Sequence, residues 1–297
     1  RVGTFQFAAM QGPDCLRALA DYTIARHDPY LKDRANTYLG LLERVIERQA
    51  ALIARWMLLG FVHGVMNTDN VSIAGETIDY GPCAFIDTYK PDTVFSSIDQ
   101  QGRYAYGNQP AIGHWNLCRF AESLLPLLDA DESKALELAQ TAIDTYAQHY
   151  DSVWRNGLAI KLGLQERSTE VDQLGEDFLQ QLQTSGADFT NSFRALMHPE
   201  MLDTSFQSWL ERWHSLIEQQ PGSMQTALER MARANPVIIP RNHLVQAAVD
   251  EAEQGNMTRF HELLKACATP YDIGYETSIY AKSPPADFGP YVTYCGT

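Results

Sequence analysis

The sequence predicts a mainly α-helical protein with one small β-hairpin. Three observations predict it. Apolar residues recur at three- and four-residue steps through most of the 297 residues, the spacing that lines one face of a helix. Strand-like alternation is confined to one short stretch, 71–79. The chain is 45% hydrophobic and 20% charged, enough apolar surface for a real core and far from the composition of disorder.

Residues 15–26 read as a short amphipathic helix, with Asp14 after Pro13 placed to cap it. Residues 35–59 give the clearest pattern. Tyr38, Leu41, Leu42, Val45, Ile46, Ile53 and Met57 share one face, charges fill the other, and Gly60 stops the helix. Val71-Ser72-Ile73 and Thr77-Ile78-Asp79 flank Ala74-Gly75-Glu76 and predict the hairpin. From there to about Pro110 the chain is rich in Asp, Gly, Pro and Ser. An irregular stretch of that length in a compact domain is usually functional. Helical periodicity returns over 115–127, 133–154, 168–184, 191–197, 203–219, 223–235, 243–254 and 258–265, with Ser133 and Thr258 as candidate caps. Trp115, Trp154, Trp209 and Trp213 fit packing faces, and Arg241-Asn242-His243 reads as a polar helix start. The tail from Thr269, rich in Pro, Gly and Tyr, is expected to wrap the surface. A weak boundary near 154–164 divides the chain into 1–160 and 161–297.

Charge and cysteine content exclude several functions. The chain carries 23 Lys and Arg against 37 Asp and Glu, a net charge of −14. Such a chain repels phosphate backbones, so nucleic acid is not the expected partner. The longest apolar stretch, 57–65, is interrupted by Gly60 and His63 and is far shorter than the roughly 20 residues of a membrane helix, so no membrane partner is expected. Five cysteines (Cys15, Cys83, Cys118, Cys267 and Cys295) form no CxxC pair. That pattern fits a reducing, cytoplasmic setting better than a disulfide framework. Cys15, Cys118 and Cys267 lie in helical patterns and read as buried small hydrophobes. The first residue is Arg, and the opening Arg1-Val2-Gly3-Thr4-Phe5 reads as the middle of a domain.

The densest chemistry lies between Phe61 and Pro82. A long helix ends, a loop carries His63, Asp69 and Asn70, and the hairpin leads into Asp79-Tyr80-Gly81. Asn70 and Asp79 flank the hairpin, so their oxygens can converge. An amide oxygen and a carboxylate are hard ligands suited to Mg²⁺, which completes its shell with waters and substrate phosphates. Taken singly, the same residues read as a capped turn and a hairpin, and His63 reads as structural, bonded to loop backbone.

The arrangement resembles the catalytic loop and metal motif of the protein-kinase fold, where an Asn follows the catalytic Asp by five residues and a hairpin leads to Asp-Phe-Gly. Here His63, Asn70 and Asp79-Tyr80-Gly81 fall in register, but Val65 stands where the catalytic Asp would be. With that departure the segment is similar to the SelO family of pseudokinases. Arg1-Val2-Gly3-Thr4-Phe5, the stretch 16–22, 101–106, Gln109-Pro110, Trp115-Asn116-Leu117, 161–164 and Cys295 extend the resemblance over the whole chain.

The resemblance implies a kinase-like C-terminal lobe over 1–160 followed by a helical extension. It implies a protein adenylyltransferase that binds ATP in an orientation flipped relative to kinases and moves AMP to Ser, Thr or Tyr hydroxyls of protein substrates. Carried over by position, Asp69 is the catalytic base, Asn70 and Asp79 hold Mg²⁺ or Mn²⁺, and Arg1 contacts nucleotide phosphate. Arg1 matches the second of two family phosphate arginines; its partner, the Gly-rich loop, the nucleotide Lys and its Glu lie upstream of this sequence, so this piece alone is expected to be inactive. Cys295 falls at the family's C-terminal redox position. Its partner loop reads Phe95-Ser96-Ser97 here, leaving Cys83 as the substitute. Two alternatives remain open: a phosphotransferase using Asp69 as base, and a non-catalytic nucleotide-binding scaffold.

Overall fold

The computed structural model describes residues 1–294. Twelve α-helices and one two-stranded antiparallel sheet are formed among them. The first helix, α1 (Val2–Gln11), begins at the residues read as mid-domain sequence. Gly12 turns the chain into α2 (Pro13–His27), whose Pro13 occupies the first helical turn, where a missing N–H costs nothing. Asp14 therefore lies inside the first turn rather than capping it. Cys15 is exposed on this helix, contrary to the expectation of burial.

Helix α3 (Thr37–Leu59) is the scaffold. Asn36 caps it by accepting from the Leu39 N–H at 3.0 Å, and Gly60 ends it in the left-handed conformation. Its face Leu41, Leu42, Val45, Ile46, Ala50 and Ile53 is fully buried. Each of the large side chains contributes about 1.5–3 kcal/mol of transfer free energy. Helices α4 (Gln109–Leu128), α5 (Glu132–Asp144) and α6 (Tyr146–Lys161) pack around it. The predicted single helix 133–154 is thus two, broken at Thr145, and Asp131 caps the first by accepting from Ser133 and Lys134 N–H groups. Ser133 is one residue inside.

The sheet is not the predicted hairpin. Strand β1 (Phe61–Val62) pairs with β2 (Ala84–Phe85), Phe61 opposite Phe85. The stretch 71–79 contributes a single bridge, Val71 to Thr77, around a turn. Its hydrogen-bonding needs are met from α3 instead. Gln49 donates to Ser72 O at 2.6 Å, and Trp56 Nε1 donates to Thr77 Oγ1 at 2.9 Å.

The remaining helices are α7 (Thr169–Ser185), α8 (Phe189–Ala195), α9 (Gln207–Gln219), α10 (Met224–Ala234), α11 (Asn242–Glu253) and α12 (Thr258–Cys267). A capping box between Ser223 and Thr226 starts α10. Helix α12 begins with the Asn256 side chain accepting from Thr258 N–H, so Thr258 is not its own cap. One apolar cluster joins α1 to α5. A second joins α6 to α10 with Met57, Val62, Ile86 and Tyr106. A third, Ile53, Trp56, Phe61 and Met66, lies between them beneath the loops that carry the candidate chemistry. The tail runs back over the surface, where Thr293 pairs with the 95–97 stretch.

Candidate functional site

Three side chains, His63, Gln109 and Asn116, hold the 61–82 loops. From below, His63 is buried and bonds through Nε2 to Ile78 O at 2.8 Å. A carbonyl only accepts, so Nε2 carries the proton and Nδ1 faces the Val65 N–H at 3.4 Å. Burial pushes the imidazole below its ordinary value, so it stays neutral. His63 is therefore a strut, as its sequence context predicts. From the side, Gln109 in α4 acts as a surrogate strand. Its Oε1 accepts from His63 N–H at 2.9 Å and its Nε2 donates to Phe61 O at 2.9 Å. Asn116, a further α4 residue, donates to Met66 O at 2.8 Å.

Asp69 and Asn70 lie on a 3₁₀ turn, Thr68–Asn70, capped by Asn67 accepting from Asp69 N–H. Asn70 spends Nδ2 on Val65 O at 3.1 Å, which leaves Oδ1 as a free acceptor. Asp69 is exposed and stands against the first turn of α1. A Cβ on Gly3 would fall 2.1 Å from Asp69 Oδ1, so only glycine permits the approach. A carboxylate at a helix N-terminus is favourably placed. Val2 N–H donates to Val71 O at 3.0 Å and fastens α1 to this loop. Arg1, exposed, sits at the same end of α1.

Asp79 is exposed and has φ of 59°, the only positive value at a non-glycine among the described residues. Asp adopts this left-handed conformation more readily than most residues, because its short polar side chain can bond locally. The following segment returns onto the first loop. A Cβ on Gly64 would lie 2.8 Å from Pro82 O. Backbone packing thus stacks the Asp79 loop on the loop of His63, Asp69 and Asn70.

Cys83 is half-buried, donates to Tyr80 O at 3.3 Å, and is pushed up by burial, away from a reactive thiolate. The tail passes nearby, with Thr293 Oγ1 donating to Pro82 O at 3.0 Å. Cys295 lies outside the described residues. Trp115, expected to pack, is exposed, and the guanidinium groups of Arg103 and Arg119 both lie over its ring. Gly3, Gln109 and Arg241 lie in stretches that the sequence singled out, but their structural roles escaped sequence reasoning. Arg241, buried at the start of α11, bonds Asp87 at 2.9 Å and Asp188 at 2.8 Å. No local pattern announces any of them, because each acts on a partner distant in the chain.

The fold and loops define a mainly helical protein whose candidate chemistry is gathered in two stacked loops at the end of its longest helix. The family model described as protein adenylyltransferase SelO matches residues 1–268, and the chain belongs to the SelO family. It is similar to proteins named protein nucleotidyltransferase YdiU. That of Geobacillus kaustophilus is 54% identical over 308 residues, covering 100% of this chain and 63% of the relative. Those of Halalkalibacterium halodurans and Bacillus mycoides are 51% and 48% identical, each again covering the whole chain and 62% of the relative. The chain thus spans less than two thirds of the length of these curated relatives. No helix among the described residues is long and apolar enough to cross a membrane.

Proposed function

We propose that the protein to which this chain belongs transfers AMP from ATP to Ser, Thr or Tyr hydroxyls of other proteins, in a Mg²⁺- or Mn²⁺-dependent reaction. The observation that carries the reading is Asp69, exposed and held against Gly3, on the same turn as Asn70 and in the loop stacked under Asp79. The family description and the relatives' names support nucleotidyl transfer. In this reading 1–160 forms a kinase-like C-terminal lobe, 161–297 is its extension, and the setting is cytoplasmic.

Asn70 Oδ1 and the Asp79 carboxylate fit a hard divalent ion. When bound, the ion neutralises phosphate charge and orients the leaving group. Arg1 adds a charge-assisted phosphate contact. The acceptor oxygen bonds to the α-phosphorus as the bond from that phosphorus to the bridging oxygen breaks. Pyrophosphate leaves with the electron pair, and the hydroxyl proton passes to Asp69. Val65, apolar at the usual base position, accepts no proton. In this reading the base role falls to Asp69, and the nucleotide is flipped, as the family resemblance implies, so that the α-phosphorus comes near Asp69.

The test is labelling of acceptor proteins by the full-length parent with Mg²⁺ and either α- or γ-labelled ATP. Label from the α position alone, lost in Asp79→Ala, is the expected result. Label from the γ position makes the protein a kinase. ATP binding with no transfer makes it a scaffold.

A further inference from the structure

We infer that Arg103, stacked on Trp115 beside the candidate site, binds a carboxylate of the protein substrate, so that acceptor hydroxyls flanked by Asp or Glu are favoured. The inference rests on the protein-substrate reading above and adds a specificity determinant to it.

The Arg103 guanidinium lies 4.8 Å from the Trp115 ring centre and 5.7 Å from that of Tyr104. Arg119 lies 5.6 Å from the same Trp115 ring. A guanidinium stacked on an aromatic face keeps its in-plane N–H donors free for a bidentate anion. The carboxylates nearby are already engaged. Asp99 accepts from the backbone N–H groups of Arg103 and Tyr104 at 2.8 and 2.7 Å, and Glu122 pairs with Arg119. No carboxylate among the described residues pairs with the Arg103 side chain. In a chain of net charge −14, an acidic partner is repelled over most of the surface. Of the several arginines that pair with no carboxylate among the described residues, Arg103 is the one whose guanidinium lies over an exposed tryptophan, and that combination marks where an acidic segment can settle.

The patch borders both site loops. Trp115 precedes Asn116, which holds Met66 O, and Tyr104 packs in one apolar cluster with Met66 and Cys83. Trp115 is 37% exposed, a large aromatic withheld from the core. An exposed Trp and Arg beside a half-buried Tyr have the composition of a protein-binding centre. A polypeptide segment supplies both the carboxylate for Arg103 and side-chain surface for the rings.

The experiment uses the full-length parent and fluorescent peptides carrying one Tyr flanked by Glu, Gln or Lys. Wild type should bind the Glu peptide about tenfold more tightly than the Gln peptide, the worth of one charge-assisted pair. Arg103→Gln should abolish that preference, and Arg103→Glu should shift it to the Lys peptide, with ATP affinity unchanged in both. A Glu preference that survives Arg103→Glu overturns the inference, as does a wild type with no preference. Weakened ATP binding with an unaltered peptide preference would make Arg103 a nucleotide ligand instead. Transfer of γ-label to the Glu peptide would sink the AMP reading while leaving the acid preference standing.

Discussion

Gly3 and Asp69 show how one hydrogen atom in place of a side chain shapes a site. A methyl at Gly3 would meet the Asp69 carboxylate at 2.1 Å, and the carboxylate is the part free to move. Gly3→Ala should therefore lower AMP transfer by about tenfold or more while the melting temperature of the full-length protein stays within a few degrees. Activity equal to wild type would mean that the position of Asp69 does not matter. His63 gives a pH dependence. Unfolded, it takes up a proton near pH 6.5, whereas burial keeps it neutral to lower pH in the fold. Its contribution is present above about pH 6.5 and is lost as pH falls below that value. His63→Gln, which retains a donor for Ile78 O, should lose less stability than wild type between about pH 7 and 5 in thermal melts. The stretch that carries Asn70 and Asp79 could be singled out in the sequence because its motif is local, and the role proposed for the two residues rests on that motif. The role of Gly3 could not be read, because its reason is a side chain in another segment.

At the scale of elements, α3 was legible from its apolar stripe, its charged face and Gly60. Helix α1 was missed, since its residues Val2, Phe5 and Ala8 give one short stripe without a capping side chain. The hairpin was misplaced for a physical reason. Alternation at 71–79 looked like pairing, yet Gln49 and Trp56 of α3 satisfy that turn, and the pairing moved to 61–62 and 84–85. Gln109 is what makes a two-residue strand viable beside the site. Gln109→Ala leaves the buried His63 N–H and Phe61 O without partners, at about 1–3 kcal/mol for each group. A fall in melting temperature together with reduced transfer is expected, and a neutral substitution would contradict the strut role. Lys161, at the end of α6, is buried with its Nζ 4.1 Å from the Phe193 ring centre, and burial pushes it down to about 7. Folding therefore carries its full charging penalty below pH 7, and that penalty shrinks as pH rises toward the unfolded value of about 10.4. Lys161→Met should raise the melting temperature at pH 7 and reduce its gain between about pH 7 and 9.

Across the whole molecule, the ion network of Arg241, Asp87 and Asp188 fastens α11 and the start of α8 to the chain just beyond β2, so the later helices brace the site loops. The sequence showed only a polar helix start there, because both carboxylates lie far away in the chain. Arg241→Ala strands two carboxylates and should destabilise the protein by about 3–5 kcal/mol in denaturant titration, against little change for an exposed arginine such as Arg233. The division of labour proposed here is a helical body holding two short loops in register, so that Asp69 would receive the proton and Asn70 and Asp79 would hold the ion that meets the phosphates. The most direct check is the mass that the full-length protein adds to an acceptor protein in the presence of ATP and Mg²⁺, compared with its Asp69→Ala variant. One AMP per modified hydroxyl, with the rate down at least about 100-fold in the variant, is the predicted result. A phosphate adduct, or an AMP adduct formed equally well without the Asp69 carboxylate, would contradict it.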